Sequence, residues 1–220
     1  MKDWIVPEED RVISPNCRAR KKPIRMIVLH TTICPRETPD NYARVARWLA
    51  NPKASGSTHF VILRDGRIIQ GVPISKQAWH AGESEWTLVD GTHVKSCNDY
   101  AIGIDLDTVG PVTVRNGKMY DCYGKPFDGY TRMVGNKRYE EYSLEQLNSL
   151  ASLVRRLCDE YHIAEDDVVG HCDVSPGRKV DPENFPWWLL RDLLTSEIYR
   201  RDLLSLYSYS EQRDALQLQA

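Results

Sequence analysis

The chain predicts an α/β fold, and three stretches of it carry the prediction. Residues 25–32 (Arg-Met-Ile-Val-Leu-His-Thr-Thr) are a short apolar, β-branched run of the kind that makes a buried strand. Residues 100–107 (Tyr-Ala-Ile-Gly-Ile-Asp-Leu-Asp) alternate as a second strand. Residues 143–146 (Ser-Leu-Glu-Gln) have the form of a capping box, and Leu144, Leu147, Ala151, Val154, Leu157 and Tyr161 then make an apolar stripe along one long helix that should cover the sheet. At 220 residues with 41% hydrophobic side chains, the chain can bury a core for one catalytic domain with extensions.

Taken in order, the elements begin with a basic stretch, Arg18, Arg20, Lys21, Lys22 and Arg25. Without interleaved aromatics it reads as a solvated arm ahead of the first strand, and a net charge of −2 argues against a nucleic-acid binder. The opening residues lack the apolar centre of a secretory signal, and no run approaches the length of a membrane helix. Synthesis in the cytoplasm without membrane insertion is therefore expected, with any wall target reached by release or secretion. The first strand carries His30 at its carboxyl end, where open α/β sheets hold ligands.

Asp40 is placed to cap a helix in which Tyr42, Val45, Ala46 and Leu49 recur at helical spacing before Asn51 and Pro52 stop it. A hairpin follows: residues 59–63, a turn at Arg64, Asp65 and Gly66, and residues 67–72. Trp79-His80-Ala81-Gly82 opens a stretch to Asp99 that reads as irregular and too polar for core. In the second strand Ile102, Ile104 and Leu106 share one face, which puts Asp105 on the other beside Ala101 and Gly103, as on the floor of a cleft. Residues 111–142, rich in Gly, Tyr and charge, read as an insertion with a tight turn at Asn116-Gly117. Its Tyr120, Tyr123 and Tyr130 either contact substrate or decorate a surface hairpin. Val168 and Val169 lead into residues 170–182, and Pro186-Trp187-Trp188 starts a final apolar helix to about Tyr207, with a polar tail from Ser208.

Residues 170–182 (Gly-His-Cys-Asp-Val-Ser-Pro-Gly-Arg-Lys-Val-Asp-Pro) carry the densest chemistry. Pro176 and Gly177 break any regular element, so only a folded loop can bring His171 and Asp181 together. The six cysteines have no Cys-x-x-Cys pair and read as free thiols. Cys172 has the option of acting as ligand or nucleophile, although such a residue is more often packed. Two neutral imidazoles and a carboxylate are the usual protein ligand set of a catalytic zinc site, with the fourth position left for water or a substrate carbonyl.

His30 in Ile-Val-Leu-His-Thr-Thr, the Trp79-His80-Ala81-Gly82 stretch, Ala-Ile-Gly-Ile-Asp ending at Asp105, and the 170–182 loop occur in one order. Together they resemble the type 2 N-acetylmuramoyl-L-alanine amidases, a zinc family that includes phage lysis amidases, wall-recycling amidases and peptidoglycan-recognition proteins. The resemblance implies a central mixed β-sheet flanked by helices with a zinc groove on one side. It implies Zn2+ held by His30, His171 and Asp181, with Lys179 at the developing oxyanion and Trp79 and His80 lining the substrate cleft. Asp105 falls where many members carry a glutamate thought to be the general base. The missing methylene retracts its carboxylate by about 1.5 Å, and Asp107 on the same face is a lesser rival. His59 also fits a family pattern but reads as structural, while His93 and His162 read as solvent-facing.

The expected division is residues 1–24 as an N-terminal extension, 25–207 as the amidase domain with an insertion at about 108–142, and 208–220 as a tail. The expected reaction is hydrolysis of the amide between N-acetylmuramic acid and L-alanine, in peptidoglycan or a muropeptide, by a monomer, and in a lytic, endolysin-like role. A cytosolic muropeptide-recycling amidase and a non-catalytic peptidoglycan-binding module are the alternatives, the latter kept open by Asp105.

Overall fold

The computed structural model describes residues 2–36 and 41–195. Contacts divide the chain into two compact units, Met1–Phe185 and a second from Pro186 onward. The first unit is built on a five-stranded sheet whose spatial order is Val168–Gly170, Met26–Ile33, Ala101–Thr108, Phe60–Ile62, Ile68–Gln70. The first four run parallel, and the last returns antiparallel through the hairpin expected at Gly66, whose φ of 85° needs no Cβ. The sheet is therefore mixed, and the α/β architecture agrees with the sequence.

Register explains where the site forms. Gly170 pairs with Leu29 and His30 with Asp105, so the position after Gly170 lies beside His30 at the carboxyl ends of adjacent strands. Val28, His30 and Thr32 share a face with Gly103, Asp105 and Asp107, and Ile27, Leu29, Ile102, Ile104 and Leu106 form an apolar face opposite. The long helix Leu144–Tyr161 starts at Ser143 with the expected capping box and buries Leu147, Leu150, Val154 and Leu157. Its Gln146 Nε2 donates to Ile62 O and Asp107 O, which fixes it to the sheet. Leu144, expected in the stripe, is instead exposed, because the capping turn carries it away from the buried side.

The stretch from Gly82 to Asp99 is not irregular. Glu85–Thr87 and His93–Lys95 pair antiparallel, and Ala81, Leu88, Val94 and Cys97 are buried with Met26, Val28, Ala101 and Val169. This small hairpin covers the amino half of the site face and leaves the carboxyl half to His30 and Asp105. The basic arm is not simply solvated either. Cys17–Ala19 adds to Lys76–Ala78 as a two-stranded sheet, Arg18 pairs with Asp99 at 3.1 Å, and Arg20 donates to Lys76 O and Ala101 O at 3.0 Å. Carbonyls left unpaired at strand ends are strong acceptors, and a guanidinium with five donors satisfies several at once.

The helix Tyr42–Leu49 buries Val45 and Leu49 against Val61, Leu63 and Ile69. The cap expected from Asp40 lies outside the described residues. The 111–142 region forms its own five-stranded antiparallel sheet, with the Asn116-Gly117 turn at positive φ between Pro111–Arg115 and Lys118–Tyr120. It is joined to the main sheet through Glu140, which accepts from Val109 N, Thr108 Oγ1 and Arg64. Within the second unit the helix Trp187–Thr195 buries Leu190, Leu193 and Leu194. The rest of the helix expected to Tyr207, and the tail, lie outside the described residues. No helix among the described residues is long and apolar enough to cross a membrane.

Candidate metal centre

His30 ends the buried part of its strand and is 4% exposed. His171 opens a single helical turn, His171–Val174, directly after the Val168–Gly170 strand, and Asp173 Oδ2 accepts the Gly170 amide at 2.7 Å. Pro176 and Gly177 then reverse the chain, with Gly177 at φ 77°, and the Cys172 amide donates to Asp181 O at 2.9 Å. The reversal brings Asp181 back to His171, as the sequence of the loop requires. His30 Nδ1 and His171 Nδ1 are 3.0 Å apart, and Asp181 Oδ2 lies 3.1 Å from His171 Nδ1 and 3.4 Å from His30 Nδ1.

The outer nitrogens decide what this convergence means. His171 Nε2 faces Ala81 O at 3.0 Å, and a carbonyl only accepts, so the ring proton sits on Nε2 and a lone pair on Nδ1. Two imidazole nitrogens and a carboxylate oxygen packed this closely repel one another unless a cation stands among them. The donor set suits zinc, which takes nitrogen and carboxylate oxygen ligands in a compact arrangement. Asp181 Oδ2 faces both Nδ1 atoms and offers the carboxylate ligand of the set. Among the described residues these three form the one group of histidine, cysteine and acidic side chains arranged to hold a metal.

Asp105 is 7% exposed and stands on the same face as its register partner His30. Thr32 Oγ1 donates to its Oδ2 at 2.6 Å, while Oδ1 is buried with no hydrogen-bond partner among the described residues. Asp107 is engaged elsewhere: it accepts from Arg64 at 2.5 Å and from Asn41 at 2.7 Å. Burial pushes its carboxyl up to about 6 against the pull of Arg64. Arg64, although burial opposes its charge, is held above its ordinary value by Asp107 and Glu140. Asp107 therefore belongs to a buried ion network and not to the centre.

Trp79 is 40% exposed, and its backbone N–H donates to Ser57 Oγ. His80 Nδ1 lies 2.9 Å from His30 Nε2, so it touches the centre directly. Burial first, then the neighbouring His30 and His59, hold its imidazole well below the ordinary value. Lys179 is half-buried two positions before Asp181, and its amide donates to Ser175 O. His59 is fully buried and accepts the Gly103 amide on Nδ1 at 3.0 Å, while His93 and His162 are exposed. Burial and the adjacent Asp173 push the Cys172 thiol up to about 11, which disfavours it as nucleophile or ligand. Tyr123 Oη donates to Ile33 O and Tyr130 is 86% exposed.

Three residues escaped the sequence reading. Arg178 Nη2 lies 2.6 Å from Ala81 O, 2.7 Å from Glu83 O and 2.7 Å from Ser175 Oγ. It sits beside Lys179, the cation that the family resemblance singles out. Asn98 accepts the His80 and Ala81 amides. Nothing in the sequence marked it. Thr32 was legible, since it is two positions past His30 and so on the same face.

A family model described as N-acetylmuramoyl-L-alanine amidase matches residues 20–184, which span the whole centre. The chain belongs to that family. It is an amidase of the type 2 class that the ordered motifs resemble. It is 33% identical over 142 residues to the 1,6-anhydro-N-acetylmuramyl-L-alanine amidase AmpD of Escherichia coli K12, over 64% of this chain and 60% of the relative. Against the AmpD of Salmonella typhimurium SL1344 it is 30% identical over 211 residues, covering 88% of this chain and 93% of the relative. A crystal structure of an AmpD selenomethionine derivative superposes with a TM-score of 0.63 at 26% identity, over 89% of this chain and 98% of that one.

Proposed function

We propose that this amidase hydrolyses the amide between the lactyl group of N-acetylmuramic acid and L-alanine, with soluble 1,6-anhydro-muramyl peptides as its substrate class. The observation that carries the reading is the convergence of His30 Nδ1, His171 Nδ1 and Asp181 Oδ2 inside the span matched by the family model. The substrate class follows that of the relatives, which are named 1,6-anhydro-N-acetylmuramyl-L-alanine amidases. The centre is complete within one chain, which supports action as a monomer.

His30, His171 and Asp181 would hold Zn2+. Bound there, zinc supplies Lewis-acid polarisation of the carbonyl and acidifies water. Asp105, on the same sheet face and with Oδ1 unengaged, takes the proton from the attacking water and returns it to the leaving nitrogen. Thr32 steadies that carboxylate by donating to Oδ2. Lys179 meets the negative charge that grows on the carbonyl oxygen as the amide becomes tetrahedral. Trp79, exposed beside His80, offers an apolar wall for the sugar or the lactyl group. The carbon–nitrogen bond then breaks, leaving a free lactyl carboxylate and a peptide with a free L-alanine amine.

The lytic, endolysin-like role expected from the sequence is the competing reading, and it places the site of action at the wall after release. The chemistry is shared, so substrate form decides. Zinc-loaded protein is incubated with a soluble 1,6-anhydro-muramyl tripeptide and, separately, with purified sacculi, and products are read by mass spectrometry. Rapid release of peptide from the soluble substrate with little from sacculi is expected. Solubilisation of sacculi at a comparable rate establishes the lytic role instead, and release from neither leaves the binding-module alternative.

A further inference from the structure

One short stretch of chain meets the outward nitrogen of both imidazoles in the centre. His30 Nε2 lies 2.9 Å from His80 Nδ1, and His171 Nε2 lies 3.0 Å from Ala81 O. The stretch is itself held at both ends. Asn98 Oδ1 accepts the amides of His80 at 3.1 Å and Ala81 at 2.8 Å, and the Arg178 guanidinium donates to Ala81 O at 2.6 Å. The His80 ring lies over Gly103, where an added Cβ would stand 2.6 Å from Cγ, and the His59 ring meets it edge-on at a centroid distance of 5.9 Å.

A neutral imidazole carries one proton, and its place decides whether His30 can be a ligand. A proton on His30 Nδ1 would point at His171 Nδ1 and Asp181 and block the centre. We propose that His80 is a positioning residue that prevents this: its Nδ1 accepts the His30 Nε2 proton, so that the His30 Nδ1 lone pair is turned on His171 and Asp181. The inference rests on the zinc reading above. It gives His80 a task distinct from lining the cleft, and it accounts for the glycine at position 103. With Nδ1 accepting, His80 carries its own proton on Nε2, the atom that is buried without a partner among the described residues. Asn98 and Arg178 are the residues that hold the two acceptors in place, which is how a partner outside the ligand shell sets tautomer and ring orientation.

The test is zinc affinity, measured by competition with a chromogenic chelator on the full chain, with thermal unfolding of the metal-free protein as the check on folding. His80→Phe keeps the ring and removes the acceptor, while His80→Asn returns an oxygen near the position of Nδ1. Zinc affinity is expected to fall about 10- to 100-fold in His80→Phe and to recover to within a few-fold in His80→Asn. Should phenylalanine not fold over Gly103, His80→Ser, too short to reach His30, takes its place in the comparison. Equal zinc affinity in wild type and the acceptor-free variant overturns the assignment of His80 while leaving the zinc reading intact. Wild-type protein that takes up no zinc overturns both.

Discussion

His30 and Asp105 are register partners on adjacent parallel strands, with their side chains on one face of the sheet. The strand that carries a candidate metal ligand thus places the candidate base beside it with no loop in between. Their backbones stand one inter-strand spacing apart, about 4.8 Å. Asp105→Ala is expected to lower kcat on the soluble muramyl peptide by about 10²- to 10⁴-fold with zinc content unchanged. Activity within a few-fold of wild type removes Asp105 from the chemistry. Asp105→Glu tests the distance: partial activity indicates that the cleft accommodates the extra methylene.

Removal of metal is expected to abolish activity and to lower the melting temperature, because a ligand that binds only the folded state stabilises it by about 4 kcal/mol at a free concentration 1,000 times its dissociation constant. Calorimetry after chelation, then after zinc is restored, checks both effects. Full activity in protein shown by elemental analysis to be metal-free contradicts the centre.

The parts of this fold legible in sequence are those whose signal is local. The β-branched run ending at His30, the alternation that isolates Asp105 and the Ser143 capping box each declare themselves within eight residues. The Glu85–Lys95 hairpin does not, because its strands are three residues long and its buried Leu88 and Val94 are core only with Met26 and Val28 in place. Arg20 was unreadable for the same reason, since its acceptors Lys76 O and Ala101 O are backbone atoms that any sequence would supply. The centre was legible as a set of residue types. Its outer supports, Asn98 and Arg178, were not, because they act through backbone amides and carbonyls.

His59 links stability to acidity. Burial foremost, with Arg20 nearby, holds its imidazole down at about 3, and it stays neutral between Gly103 N and Lys76 O. An unfolded histidine titrates near 6.5, so as pH falls below that value the unfolded chain takes up a proton that the folded one refuses. Stability present above pH 6.5 is lost on the way down toward 3. Between pH 6.5 and 5 the wild type is expected to lose about 2 kcal/mol more than His59→Gln, read as the shift in urea midpoint. Parallel pH profiles for the two proteins would contradict the buried neutral ring.

Arg64 joins the main sheet to the 111–142 sheet, since it bonds Asp107 on the first and Glu140 on the second. Removing it leaves two buried carboxylates without their counter-ion. Arg64→Ala is expected to destabilise by about 3–5 kcal/mol at neutral pH, by urea denaturation. The loss should shrink as pH falls toward 6, because Asp107, at about 6 with Arg64 beside it, is pushed higher still without it and takes up its proton first in the variant. A loss independent of pH would mean that the packing of the arginine stem matters more than its charge.

Lys179 separates charge stabilisation from metal binding. It stands two positions before Asp181 in the reversed loop, and the hydrogen bond from its backbone amide to Ser175 O fixes the backbone there. A cation that meets charge only as the amide becomes tetrahedral lowers the barrier without tightening the ground state. Lys179→Ala is therefore expected to reduce kcat by about 10²- to 10³-fold with KM and zinc affinity near wild type. Lys179→Arg, which keeps the charge but spreads it over a plane, is expected to recover part of the loss. If KM rises with kcat unchanged, Lys179 binds the substrate's own carboxylates instead. If zinc affinity falls in parallel, its contribution runs through the loop that carries Asp181.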